Sequence, residues 1–336
     1  MPSAFVTGAS GFVGANLVRA LLARGWRVRA LVRDAAPSLD GLDVERVRGD
    51  LFDAGLAGTM DGCDGVFHLA ATYSLWRRDR TQIFRVNVEG TRAVLDAARR
   101  AGVPRVVHCS SVAALGVRAD GRPADESHQS PPGDLVGAYK RSKYYAEAAA
   151  RRAVDEGQDV VIVNPSTPVG PWDAKPTPTG EIVVRTLAGR MPAYVDTGLN
   201  VVDVRDVAVG HILAFERGRR GERYILGNRN LSLRELLAQL ALAADRPAPR
   251  VRLPRILPLA YAALGEFVLA PFGVPADVPV ESVRMAKGRM YYDPGKAVRE
   301  LGLEQSPIAH ALRDAVDWYR THRLSEDRWQ SLSSKP

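Results

Sequence analysis

"TGASGFVG", Thr7 to Gly14, decides the reading of this chain. Gly8, Gly11 and Gly14 stand three residues apart, between a short apolar run, "AFVTG" from residue 4, and a segment with helical periodicity. A strand that ends in such a turn, with a helix starting inside it, brings backbone N–H groups and a helix N-terminus to the point where a pyrophosphate is held. Glycines alone mark any turn; strand before and helix after make the motif a dinucleotide site. Its contacts are expected from Gly8, Ser10, Gly11, Phe12, Val13 and Gly14.

Outward from that turn, "WRVRALVR" (26–33), "VERVRGD" (44–50), "GVFHLA" (65–70), "RVVHCSS" (105–111) and "VVIVNPS" (160–166) read as strands, with amphipathic helical segments between several of them. The alternation predicts an α/β fold: a Rossmann-type, doubly wound parallel sheet covered on both faces by helices. After about residue 165 the rhythm changes. "NPSTPVGPWDAKPTPTG" (164–180) is dense in Pro and Gly, and the later segments are mostly helical, punctuated by the strand-like "ERYILG" at 222–227. The expected division is a dinucleotide-binding domain over 1–165, whose sheet can receive later segments, a smaller, mainly helical substrate lobe over 166–322, and a polar tail over 323–336.

With 336 residues, 46% hydrophobic and 25% charged, the composition is that of a soluble globular protein. The net charge of +8 is carried mostly by Arg scattered over many segments, which argues against a nucleic-acid stripe and leaves an attraction to anionic cofactors or lipid headgroups. Cys63 and Cys109 match no metal-ligand spacing and no disulfide framework, so buried free thiols and no metal are expected. The N-terminus runs straight into the glycine turn rather than into a signal peptide, and a cytoplasmic location is expected. The most apolar stretch, "ILPLAYAALGEFVLAPFGV" (256–274), is interrupted by Pro258, Glu266 and Pro271 and is too broken to span a bilayer. It either lines the substrate pocket or makes a peripheral membrane contact.

The choice of dinucleotide is read at the end of the second strand, where an acid accepts from a ribose 2′-hydroxyl and an Arg pairs with a 2′-phosphate. Here the strand ends "ALVRD": Val32 occupies the acid's place and Arg33 follows, which favours NADP(H) over NAD(H). Asp34 next door leaves the alternative that Arg33 is a solvated loop residue. In "AYKRSKYYAE" (138–147), Tyr139 and Lys143 share a helix face four residues apart. Either Lys140 and Arg141 between them make this a solvated basic stripe, or the ammonium favours the phenolate and Tyr139 becomes a usable general acid.

Together with the glycine turn, "GDL" (49–51), "HLAA" (68–71), "NVEGT" (87–91), "SSVAALG" (110–116), "YKRSK" (139–143) and "VDVRDVA" (202–208) resemble the extended short-chain dehydrogenase/reductase family, from the first strand to about residue 320. The resemblance implies that Asp50 and Leu51 line the adenine pocket and that Ala70 and Ala71 lie against the cofactor. It adds Tyr139, Lys143, Asn164 and Pro165 to the cofactor contacts. It makes Ser111 the catalytic hydroxyl, with Ser110 as the alternative, Tyr139 the proton donor, and Lys143 a donor to the nicotinamide ribose. Asn87 would order a water or the local backbone, and a homodimer would be in keeping with the family.

Closer still, the 164–180 loop and "GRMPAYVDTGLNVVDVRDVAVGH" (189–211) resemble the hopanoid-associated sugar epimerase subgroup, related to dihydroflavonol reductases. Nucleotide-sugar epimerases of the family carry Arg and, three residues later, Asn after the sixth strand; those places here are Asn164 and Thr167. The expected substrate wall is Tyr73, Trp76, Ser111, Thr167, Trp172, Leu264 and Phe267, although core packing is the alternative for the aromatic residues. The expected activity is reduction by NADPH of an aldehyde or ketone on a small-molecule or lipid substrate, a lipophilic polyol such as ribosyl-hopane, opened to its tetrol. The alternatives are a nucleotide-sugar epimerase or dehydratase with tightly held cofactor, and a non-catalytic NADP sensor.

Overall fold

Runs of β-branched and aromatic residues become strands here because helices cover both their faces. The computed structural model describes residues 1–269 and 278–323. Its strands are β1 (Ser3–Thr7), β2 (Arg27–Val32), β3 (Glu45–Arg48), β4 (Gly65–His68), β5 (Arg105–Cys109), β6 (Val160–Pro165), β7 (Thr167–Val169), β8 (Ala193–Val195), β9 (Gly198–Asp203), β10 (Arg223–Leu226), β11 (Arg229–Ser232) and β12 (Val251–Leu253). Seven pair in the order β3-β2-β1-β4-β5-β6-β10, every pair parallel. The chain direction across the sheet reverses between β1 and β4, and there the carboxyl ends of the strands open a crevice.

Successive side chains of a strand serve opposite faces. Val6 of β1, Val107 and Val163 pack with Leu17 and Val18 of α1 (Phe12–Ala23) and with Ile212 on α7 (Val204–Arg217). Phe5, Val106 and Ile162 pack on the other face with Val94 of α3 (Gly90–Arg100) and Ala150 of α5 (Gly137–Asp155). The short helices α2 (Arg80–Phe84) and α4 (Val112–Leu115) lie between them in sequence. β10 and α7 come from the segment counted with the substrate lobe, and both are buried into the sheet's own core.

The second lobe has a separate core, in which Val183, Leu236, Leu312 and Tyr319 meet. They belong to α6 (Pro178–Leu187), α8 (Leu233–Ala244) and α11 (Ile308–Arg323). Two small sheets accompany these helices, β11-β9-β7 and the parallel pair β12-β8. α8 starts at a capping box, Ser232 with Glu235, which satisfies two N-terminal backbone donors at once. The apolar segment forms α9 (Ile256–Ala263) running into a π turn, Leu264–Leu269, and α9 packs against α10 (Val280–Met285). Residues 270–274 of that segment and the tail from 324 lie outside the described residues.

Candidate active site

The glycine turn is closed to side chains. Gly8 has φ +71°, and a Cβ there would stand 2.6 Å from the backbone nitrogen of Ala70; one on Gly14 would overlap the Gly8 carbonyl oxygen. Gly11 N–H donates to that same carbonyl at 3.0 Å. α1 then starts at Gly11 with no capping side chain and no acid in its first turn, so its positive end stays available to an anion. The floor of the crevice is pinned by Thr7, which accepts from Ala70 N–H (3.2 Å) and lies 2.8 Å from His68 Nδ1. A glycine cradle with uncapped N–H groups fits a dinucleotide pyrophosphate. Around it Ser10 and Ala71 are exposed, Phe12 and Val13 are half-buried, and Leu51 is buried against Gly90. Asp50 turns its carboxylate onto the Phe52 N–H at 3.1 Å. Val32 is buried at the end of β2, whereas Arg33 is exposed and makes no ion pair among the described residues.

α5 carries Tyr139, Lys143 and Glu147 one turn apart on one face, turned toward the ends of β5 and β6. Ser111 caps α4, accepting from Ala113 N–H at 3.1 Å, and its hydroxyl lies near enough to the Tyr139 phenol to pull that phenol down. Burial raises the phenol above its ordinary range, against the smaller downward pull of Ser111. The expected lowering of that phenol by Lys143 is therefore corrected. The ammonium donates instead to the Cys109 carbonyl at 3.0 Å, and burial lowers the lysine itself. Lys143 is a buried donor at the end of β5, not one more residue of a solvated stripe.

Ser110 is drawn away from the crevice. Its hydroxyl donates to Glu147 Oε2 at 2.7 Å, inside a network that spans the sheet. Asn164 Nδ2 also donates to Glu147 Oε2 (2.8 Å) and to the Ser111 carbonyl (3.0 Å), and Arg223 donates to Glu147 Oε1 at 3.0 Å. Burial pushes the Glu147 carboxyl up, but Arg223 and the hydrogen bonds outweigh it and hold the group below its ordinary range. Asn164 is completely buried, and its side chain supports Ser111 from beneath. Pro165 lies in β6, paired with Leu226. Asn87 orders backbone: it accepts from Thr72 N–H (2.7 Å) and donates to the Thr72 carbonyl (3.0 Å) and to Ser142 (2.9 Å).

That clamp places Tyr73, whose ring centroid lies 4.3 Å from that of Tyr139. Glu281 of α10 brings its carboxylate against Gly137 at the start of α5 and raises the Tyr73 phenol further, after burial and Tyr139. Trp76 and Thr167 are half-buried, while Leu264 and Phe267 are exposed. Trp172 does not join the Tyr73–Tyr139 pair: with φ +74° it stacks under the Arg19 guanidinium (3.5 Å) and beside Trp318 (6.4 Å). The reading from sequence missed Glu147, Arg223 and Glu281. Glu147 was findable, since it continues the Tyr139, Lys143 spacing by one turn. The others reach the site from distant segments with no local signal.

A sequence profile of the NAD dependent epimerase/dehydratase family matches residues 4–227. A Synechocystis protein with the provisional name dihydroflavonol 4-reductase is 56% identical over 95% of this chain and 94% of its own. Sterol demethylase protein B of Methylococcus capsulatus is 40% identical over 94% and 97%, respectively. The 4-hydroxy-2-methyl-3-oxo-4-farnesyl-3,4-dihydroquinoline-1-oxide ketoreductase of Stigmatella aurantiaca is 37% identical over 89% and 90%. Among solved structures, DesIV, a dTDP-glucose 4,6-dehydratase from Streptomyces venezuelae with NAD and TYD bound, superposes with a TM-score of 0.78 at 27% identity, covering 96% of this chain and 98% of that one. With the glycine cradle, the seven-stranded parallel sheet and these relatives together, the chain belongs to the NAD-dependent epimerase/dehydratase family of extended short-chain dehydrogenases/reductases, as an oxidoreductase related to the dihydroflavonol reductases.

Proposed function

We propose that the protein is an NADPH-dependent reductase of an aldehyde or ketone on a lipophilic polyol, with ribosyl-hopane as the candidate substrate. The observation that carries the reading is the placement of the Tyr139 phenol, one helical turn from the buried Lys143, beside Ser111 and with its ring 4.3 Å from that of Tyr73. A protonated phenol suits the reductive direction, in which the carbonyl oxygen must gain a proton. When bound, the nicotinamide supplies the hydride. The hydride goes to the carbonyl carbon and Tyr139 gives its proton to the carbonyl oxygen, the Ser111 hydroxyl orients that oxygen, and Lys143 would donate to the nicotinamide ribose. Arg33, with Val32 in place of an acid, favours the 2′-phosphate.

The substrate class is supported by charge. Asn164 and Thr167 stand where nucleotide-sugar epimerases carry Arg and Asn, Lys175 is the one cation of the 164–180 loop, and Glu281 adds a carboxylate beside Tyr73, an arrangement that disfavours a nucleotide diphosphate and suits hydroxyl groups. Two relatives are named for a sterol and for a farnesyl-bearing quinoline ketone, both lipophilic. The test is loss of the reduced-nicotinamide absorbance when ribosyl-hopane in detergent is added to enzyme and NADPH, with mass analysis of the product. The expected result is consumption of NADPH and a product heavier by a pair of hydrogens. No consumption with that lipid, together with redox-neutral conversion of a nucleotide sugar to its epimer, would overturn it.

A further inference from the structure

α9 is turned inside out for a helix of a soluble domain, which normally buries its apolar stripe. Of its eight residues only Ala262 is buried. Ile256, Leu257, Tyr261, Leu264, Phe267 and Val268, spaced so as to share one side of α9 and its π turn, are 48% to 67% exposed. Its one acid, Glu266, is half-buried and accepts from the Val280 N–H at 2.9 Å, away from that face.

Cations gather around the first turn. Arg250, Arg252 and Arg255 precede or open α9, Arg284 lies in the last turn of α10, and Lys287 and Arg289 follow it; all six are exposed. The two groups are held side by side: Arg255 donates to the Lys287 carbonyl at 2.7 Å, and Asp196 lies between Arg252 (3.8 Å) and Arg289 (3.7 Å). Among the described residues Asp196 is the one acid within ion-pair reach of these six, which leaves the cluster strongly positive. An exposed apolar face beside a cluster of Arg and Lys matches the boundary of a bilayer with anionic headgroups, where acyl chains take the apolar side chains and phosphates take the cations. A second copy of this chain fits poorly, because two such faces brought together would set their cations against one another. Among the described residues no helix is long and apolar enough to cross a membrane, so the contact in question lies along the surface.

We propose that α9 and its π turn dock the protein on an anionic phospholipid surface. α9 packs on α10, whose Glu281 reaches the start of the Tyr139 helix, so the docked face lies one helix away from the helix that carries Tyr139. Docking of this kind does not depend on which substrate the site takes.

The experiment is co-sedimentation with vesicles of phosphatidylcholine, with and without phosphatidylglycerol, at low and high salt, with light scattering of the free protein alongside. The full chain is expected to pellet with the anionic vesicles only. High salt, or the substitution of Arg250→Gln with Arg252→Gln, should lower the pelleted fraction about tenfold, and Leu257→Glu with Tyr261→Glu should do the same. Circular dichroism checks that both variants fold, and the salt arm needs no variant. Protein that stays in the supernatant with anionic vesicles at low salt would overturn the proposal. So would a wild-type dimer that dissociates in the Leu257→Glu, Tyr261→Glu variant without any vesicle binding by either form.

Discussion

Two hydroxyl groups one residue apart, Ser110 and Ser111, show how little of a site is composition and how much is direction. Ser110 points under the sheet to Glu147, and Ser111 points to the phenol. With Tyr139 replaced by Phe, dinucleotide affinity should stay near wild type while turnover falls about a hundredfold or more, as for loss of a positioned acid; wild-type turnover in that variant would remove Tyr139 from the mechanism. Arg33→Asp should narrow or reverse a preference for NADPH over NADH in a binding titration. Losing one charged contact to a phosphate costs about 1.5–3 kcal/mol, a factor of ten or more. Equal affinities of the wild type for both dinucleotides would contradict the reading of Arg33. At this scale sequence spacing revealed Tyr139 and Lys143, because a helix puts residues four apart on one face. It did not reveal that Lys143 turns to a carbonyl at the end of β5, since that depends on where the strand stops.

The first helix and the turn before it form the element on which cofactor binding depends. Gly14 touches the backbone of Gly8, which no rotamer change can move aside, so Gly14→Ala should abolish dinucleotide binding and lower the yield of folded protein. Gly58→Ala meets nothing within 4 Å and has an ordinary backbone conformation, and it should change stability by no more than about 0.5 kcal/mol. Equal behaviour of the two variants in a binding and melting assay would remove the close approach from the account. Strands were the most legible elements, since "RVVHC" and "VVIVN" are too apolar to be covered on one face only. "ERYILG" read as a strand, yet its neighbour did not: pairing with β6, with Tyr224 and Leu226 packed in the core that holds α7 and Ile225 packed against α4, puts it at the edge of the main sheet. α9 was legible as apolar but not as exposed, because periodicity reports a face and not what covers it.

For the molecule as a whole, stability should depend on acid through histidines sealed inside it. His108 is lowered to about 3, by burial first and then by Lys143 and His211, and His211 is lowered to about 4, chiefly by burial. Both ring nitrogens of His108 lack a partner among the described residues. In the unfolded chain each titrates near about 6.5, so the unfolded state takes up protons first as pH falls. The stability is complete above that value and is lost progressively as pH falls toward the folded values. Between about pH 6.5 and 5 the loss should be about 2 kcal/mol for each histidine, seen as a falling denaturation midpoint. His108→Gln should make that fall shallower, and an unchanged acid dependence would contradict the assignment. The central claim is net reduction at Tyr139, and its most direct test is transfer of deuterium from NADPH labelled at the reactive carbon, followed by mass analysis of the ribosyl-hopane product. The account predicts one deuterium retained per product molecule with matching loss of NADPH, both slowed about a hundredfold or more in Tyr139→Phe; label that never leaves the cofactor, while a nucleotide sugar is epimerised without net redox change, would contradict it.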